Sequence, residues 1–306
     1  MDKKTVVVTG ATGFIGHYFC QAAKEKGWHV IAVSRNLEKA RNRLPGIQVI
    51  KKIEDLPTTE KIHYVVNLAG EPLVSGRWNA ARKQTFIDSR VGTTNQLFDY
   101  FKQLPEPPKV LVSGSAVGYY GPYDGSPQDK RLDEAAKHRD SYSHHLCSEW
   151  EHSAAQFRQL GTRVCYLRTG IVLGFKEGAL ARMVPPFKMG LGGRIGSGKQ
   201  WMPWIHIDDE IELIFHCIKR SDLTGSINAS SPNPVTNSQF SQALGAVLSR
   251  PVIFPMPAFM AKLLFGEMAK ELLLAGQRVH PRKALESGFE FKYPELDLAL
   301  EQILIK

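Results

Sequence analysis

The chain has 306 residues, 43% of them hydrophobic, and a formal net charge of +9. That length holds one large domain, or one domain and a smaller lobe, and the apolar content fills a full core. No apolar run approaches the roughly 20 residues of a membrane span, and Gly10 breaks the first strand too early for a secretory signal. The basic residues are spread along the chain without a nucleic-acid module, so the charge reads as a solvated surface that suits an anionic small molecule. Cys20, Cys147, Cys165 and Cys217 are scattered, with no metal spacing, and read as reduced thiols of a cytoplasmic protein. The expected partner is a small-molecule substrate, with no nucleic acid and no membrane, for a monomer or homodimer.

Thr5 to Gly16 reads TVVVTGATGFIG. A β-branched run ends at Gly10, Gly13 and Gly16 follow, and a helical pattern sets Phe14, Ile15, Tyr18, Phe19, Ala22 and Ala23 on one side. A strand, a tight glycine turn and a helix N-terminus bring bare N–H groups and the positive end of a helix dipole against a pyrophosphate. The spacing is GxxGxxG rather than GxGxxG, so the strand before and the helix after carry the reading.

A second strand runs from His29 to Ser34. An NAD site places an acid at its end to bind the ribose hydroxyls; here the chain reads Val33, Ser34, Arg35, Asn36. A hydroxyl followed by a guanidinium suits a 2′-phosphate, or else Arg35 is a surface residue at a helix start. Further strands are expected at 48–50, 64–68, 110–113 and 163–167, with helices over 79–103 and 143–159 between them. The fourth strand ends in VVNLAGEPL, whose small residues let a cofactor approach closely, and the fifth in LVSGSAVGYYG, with Ser113 and Ser115 at the sheet edge.

After Gly170 the alternation loosens. Gly and Pro crowd 185–203 as a substrate wall, and helices follow at 209–219, 237–248, 258–264 and 267–275. Trp201, Trp204 and His206 are expected to face the groove, and Asp208 to cap the helix that starts near Asp209. Arg194 and Lys199 either meet an anionic substrate group or are solvated. Strand–helix alternation implies an α/β fold, a Rossmann-type doubly wound parallel sheet with a smaller C-terminal substrate lobe. The expected division is 1–170 and 171–306, with later elements of the sheet drawn from beyond 170.

TGATGFIG, NLAG, SGSAVGYYG, LRTGIVLG and WIHIDD together resemble an extended short-chain dehydrogenase/reductase. NLAGEPLVSGRWNAARKQTFIDSRVGTT and PPFKMGLGGRIGSGKQWMPWIHIDD resemble, more narrowly, its atypical epimerase-family branch of nucleoside-diphosphate-sugar epimerase-like proteins. The tail from PMPAFMAKLLFG to FKYPEL resembles that branch's C-terminal module, so the likeness covers essentially the whole chain. It implies cofactor contacts at Gly10, Thr12, Gly13, Phe14, Ile15, Gly16, Ser34, Arg35, Leu68, Ala69, Gly70 and Arg90. The implied cofactor is NADP(H), which agrees with the charge at Arg35.

Dehydrogenases of this superfamily use a Ser or Thr, a Tyr and a Lys, the last two as YxxxK on one helix face. The ammonium lowers the phenol pKa so that the tyrosine exchanges a proton with substrate. Here the stretch is Tyr142, Ser143, His144, His145, Leu146. Ser115 and Tyr142 stand in the catalytic places, but leucine has neither charge nor ribose contact. His145 replaces that charge only in part, being mostly neutral at pH 7, or is a solvated helix residue. Tyr119 and Tyr120 offer further hydroxyls. The expected function is an NADP(H)-binding oxidoreductase or epimerase-like enzyme on a small polar substrate. The rival is a cofactor-binding sensor or interaction protein that has lost its chemistry.

Overall fold

The computed structural model describes residues 4–74, 76–125 and 130–305. Seven parallel strands form one sheet: β1 (Thr5–Thr9), β2 (His29–Val33), β3 (Gln48–Ile50), β4 (Tyr64–Asn67), β5 (Val110–Ala116), β6 (Arg163–Thr169) and, much later in the chain, Gly225–Ala229. The spatial order starts with Gly225–Ala229 at one edge and continues β6, β5, β4, β1, β2, β3. The order reverses at β1, so the chain winds in both directions from the strand that carries the glycine turn.

Side chains of β1 alternate between two cores, as the pleat requires. Val6 and Val8 join Phe19, Leu213 and Phe215 on one face, and Val7 joins Ile31, Leu97, Phe101 and Phe157 on the other. The helices that cover these faces are α1 (Phe14–Glu25), α2 (Leu37–Arg43), α3 (Ala80–Ile87), α4 (Thr93–Phe101) and α5 (Tyr142–Ala155). The helix expected as one span over 79–103 is interrupted between α3 and α4 by a π-turn at Asp88–Gly92. A π-turn inserts one residue into the helical register, and here it turns Arg90 inward, as described below.

A third core, with Leu173, Phe187, Trp204, Phe240, Leu244 and Leu300 buried in it, belongs to the later elements. These are β7 (Ile171–Gly174), β8 (Glu177–Gly178), α6 (Leu180–Lys188), β9 (Trp201–Met202), β10 (Trp204–His206), α7 (Ile207–Lys219), β11 (the edge strand Gly225–Ala229), β12 (Val235–Thr236) and α8 (Asn237–Val247), followed by α9 (Ala258–Phe265), α10 (Arg282–Glu286) and α11 (Leu296–Leu304). The helix expected over 267–275 is present over 267–273, with Ala269–Leu273 wound as a π-turn. Residues beyond 170 return to the main sheet through β11 and through α7, whose Leu213 and Phe215 pack in the core behind β1.

Candidate functional site

The glycine turn sits at the carboxyl end of β1. Gly10 has φ +66°, and a Cβ there would lie 2.4 Å from the Leu68 carbonyl oxygen. A Cβ on Gly16 would lie 2.3 Å from the Gly10 carbonyl oxygen. Only glycine serves at both, one for the left-handed turn and one for the contact of α1 with the strand. The N-cap of α1 is Gly13, with no side-chain cap and no acid in the first turn. By contrast α2, α3, α5 and α8 are capped by Asn36, Asn79, Ser141 and Thr236. The N–H groups of the first turn of α1 are thus left for an external acceptor. Thr12 is half-buried beside them. The side chains of Phe14 and Ile15 pack into the fold, Phe14 against Gly174 and Gly178, so only their backbone faces the turn.

At the end of β2, Ser34 is buried and donates its hydroxyl to the Asn36 carbonyl at 3.2 Å. Arg35 is 91% exposed, with a guanidinium nitrogen 3.6 Å from the Glu71 carboxylate. That ion pair is loose enough for the arginine to turn to a phosphate. Leu68, Ala69 and Gly70 follow β4; the backbone of Leu68 and Ala69 lies against Gly10. A Cβ on Gly70 would lie 2.9 Å from the Arg90 guanidinium carbon. Arg90 donates to the Glu71 and Phe86 carbonyls at 3.1 and 3.3 Å and lies over Trp150, 5.2 Å from its ring centre. A buried chain holds its turn in place: Thr9 donates to Asn67, Asn67 to Thr94, and Thr94 to the Arg90 carbonyl, at 2.6, 2.8 and 2.7 Å.

The two catalytic candidates are not joined by a hydrogen bond. Ser115 donates to the Glu151 carboxylate at 2.7 Å. Arg168 holds the same carboxylate through two bonds of 2.8 and 2.9 Å, in a pair that is almost wholly buried. Tyr142 donates to the Lys83 carbonyl at 3.3 Å and packs edge-on against Trp78. Burial pushes its phenol up to about 12, against a smaller opposing pull from Arg90. Positions 142, 146 and 150 lie at successive i, i+4 steps on α5. The charge absent from Leu146 therefore appears on this side of α5 in Arg90, lying over Trp150.

His145 pairs at the surface with Asp140 at 2.7 Å, so it does not stand in for the lysine. Tyr120 is fully buried and donates to Asn228 at 2.7 Å, and burial raises its phenol to about 12. That is a packing role. Tyr119 is half-buried, with the Arg168 guanidinium 3.4 Å from its ring centre. Sequence reasoning missed Glu151 and Arg168, although an arginine in the apolar strand VCYLRT was a visible signal of a buried pair.

The segment after β9 departs from expectation. Trp204 is fully buried in the third core and donates to the Asn233 carbonyl at 3.3 Å, so it does not face the groove. His206 is buried too, and it rather than Asp208 caps α7: its Nδ1 accepts from the Asp208 N–H at 3.1 Å. Burial lowers the His206 pKa, which keeps that nitrogen free to accept. An aromatic run reads alike whether it lines a groove or fills a satellite core. Trp201 alone of the three stays half-buried, beneath Arg278 at 4.6 Å. Arg194 and Lys199 are exposed on their loop. Glu210 is fully buried in the first turn of α7, accepts from Thr169 at 3.0 Å, and is pushed by burial up to about 8.

Residues 6–229 match the NAD dependent epimerase/dehydratase family, and residues 256–303 match a domain of unknown function, DUF1731. The epimerase family protein SDR39U1 homolog of Arabidopsis thaliana, named as chloroplastic, is 40% identical over 99% of this chain and 87% of its own length. The epimerase family protein YfhF of Bacillus subtilis is 34% identical over 98% and 97%. The crystal structure of human epimerase family protein SDR39U1 with NADPH is similar over 99% of each chain, at 34% identity and a TM-score of 0.86. UDP-glucuronic acid 4-epimerase of Bacillus cereus, at 17% identity and a TM-score of 0.77, shares the fold.

Proposed function

We propose that this chain, which belongs to the NAD dependent epimerase/dehydratase family, is an NADP(H)-binding, epimerase-like oxidoreductase acting on a small polar substrate. The observation that carries the cofactor half is the uncapped α1 behind a turn that only Gly10 and Gly16 permit, with exposed Arg35 at the end of β2. The human relative solved with NADPH supports the same choice. The first turn of α1 binds the pyrophosphate through its N–H groups, and Arg35 leaves Glu71 to meet the 2′-phosphate. Arg90, fixed by the Thr9–Asn67–Thr94 chain, offers a cation beside Gly70 where the lysine of YxxxK is missing.

The bound nicotinamide supplies or takes up the hydride. Ser115 turns its hydroxyl from Glu151 to the reacting oxygen, and Arg168 keeps the carboxylate paired meanwhile. Tyr142 holds its proton at neutral pH, because burial raises its phenol to about 12. A neutral phenol is in the form that gives a proton to a carbonyl oxygen, but a raised pKa makes it a weaker acid, so proton transfer from Tyr142 is slowed. The same raised phenol and Leu146 favour a second reading, an NADP(H)-binding sensor with little turnover.

NADPH oxidation with a panel of aldehydes, ketones and nucleotide sugars, in wild type and Tyr142→Phe, tests the two. Turnover abolished by the substitution supports the enzyme, and tight NADPH binding without turnover supports the sensor. Among the described residues no helix is long and apolar enough to cross a membrane. A cytoplasmic site belongs to the same proposal and rests on the four unpaired, buried cysteines.

A further inference from the structure

We propose that Arg278 and Trp201 form a seat for one anionic group, a carboxylate or a phosphate, of the small molecule taken beside the cofactor. The inference rests on the reading above that a substrate occupies the groove over the carboxyl edge of the sheet. Both residues stand over that edge. Trp201 opens β9, two residues before Pro203, whose carbonyl accepts from the Ile171 N–H at 2.7 Å just beyond β6. Arg278 lies in a segment tied to the loop that follows β5 and the turn at Val117–Tyr120: Gly276 donates to the Tyr123 carbonyl at 2.9 Å, and the Gln277 amide to the Gly121 carbonyl at 2.7 Å. The approach is set by backbone, since a Cβ on Gly276 would lie 1.8 Å from the Trp201 carbonyl oxygen. Ligands of open parallel sheets bind on this side.

The two side chains are donors without acceptors. Arg278 Nε and Trp201 Nε1 are both buried and, among the described residues, hydrogen-bonded to nothing. Several other partly or wholly buried arginines have a protein acceptor for at least one guanidinium nitrogen, although the Nε of Arg43 and of Arg282 is also buried without a partner. Arg43 reaches Glu177, Arg168 reaches Glu151, and Arg282 reaches Asp133. Arg163 reaches the carbonyls of Cys217, Ile218 and Leu223, and Arg90 those of Glu71 and Phe86. Among the described residues the side-chain contact of Arg278 is the face of Trp201, 4.6 Å away. An indole face holds a guanidinium in place but accepts none of its N–H bonds. The buried Nε–H of Arg278 and Nε1–H of Trp201 have lost water without gaining an acceptor, which is costly, and an anion brought by a ligand removes that cost. The guanidinium fork fits the paired oxygens of a carboxylate or a phosphate, and the indole N–H adds a further donor. The seat lies apart from Arg35 and the α1 terminus, so it is separate from the cofactor's own phosphates.

The test uses full-length protein saturated with NADPH, which fills the cofactor's phosphate sites. Sodium phosphate and, in a separate arm, sodium acetate are titrated at constant ionic strength while tryptophan emission is followed. The expected result is a saturable change in at least one arm. It disappears in Trp201→Phe and needs about ten-fold more anion or worse in Arg278→Gln, the loss of a charge-assisted contact. Arg278→Lys keeps a weaker response, because a point charge replaces the fork. The arm that saturates at lower concentration assigns the group as phosphate or carboxylate. No saturable response in either arm, or the same curve in Arg278→Gln, overturns the seat. If Arg278→Gln does not fold, Arg278→Lys decides, and an unchanged curve there overturns it. NADPH binding is measured in parallel. A wild type that binds NADPH but shows no anion response refutes only the seat, whereas a wild type that binds no NADPH refutes the cofactor reading.

Discussion

The two ends of the groove are built from different materials. At the β1 end the site is backbone: the Gly10 turn, the close approach of Gly16, and the bare first turn of α1. At the β5–β6 end it is side chains already engaged with one another, Ser115 on Glu151, Glu151 on Arg168 and Tyr142 on Lys83. A backbone site stands ready whenever the fold forms. A side-chain site must exchange a partner it already has for the substrate, so its chemistry depends on how firmly those partners hold. The first end is preorganised for binding, and the second is restrained by its own partners.

If that contrast is right, damage to the two ends separates. Arg168→Met strands a buried carboxylate, a loss of about 3–5 kcal/mol for a broken buried pair, which lowers Tm by on the order of 10 °C. NADPH affinity of the folded protein should stay within about two-fold. Calorimetry with parallel NADPH titration checks both, and affinity falling with stability intact would break the separation. Gly10→Ala drives a Cβ towards the Leu68 carbonyl at a positive φ, at a cost of about 1–3 kcal/mol of strain. Here NADPH affinity should fall on the order of 100-fold, since the turn itself is the site.

Glu210 gives a pH test near the boundary between the two halves. Its folded pKa of about 8 lies above the ordinary 4.5, so the folded state holds the proton more tightly than the unfolded chain. The contribution of Glu210 to stability is therefore fully present below the ordinary glutamate range and is lost as pH rises from 4.5 through about 8. Glu210→Gln should flatten that slope in a series of melting curves, and a wild type whose Tm is level across this window would refute the burial argument. The smallest effect is expected at Tyr142. With its phenol near 12, Tyr142→Phe should leave the rise of phenolate absorbance up to pH 11 almost unchanged. A clear missing step below pH 10 would mean that Arg90 activates this tyrosine after all.

Legibility followed the same division. The glycine turn and the position of Arg35 at the end of β2 were readable because backbone geometry dictates residue type locally. The parallel sheet was readable from strand–helix alternation, although the π-turn at Asp88–Gly92 was not, since one inserted residue leaves the apolar pattern almost intact. At the other end the fate of Ser115 depended on Glu151, 36 residues away, and on Arg168 in the next strand. Trp204 and His206 were misplaced because burial in a satellite core demands the same residues as a groove wall. The Arg278–Trp201 contact joins segments 77 residues apart and had no signature in the sequence.

The central claim is a site for NADP(H) made chiefly of backbone and selected by Arg35. Its most direct test is calorimetric titration of wild type and Arg35→Ala with NADPH and with NADH. The account predicts that wild type binds NADPH about ten-fold or more tightly than NADH, the worth of a charge-assisted phosphate contact. It predicts that Arg35→Ala loses that preference while NADH binding is unchanged. Equal affinity for the two nucleotides in wild type, or a preference for NADPH that survives Arg35→Ala, would contradict it.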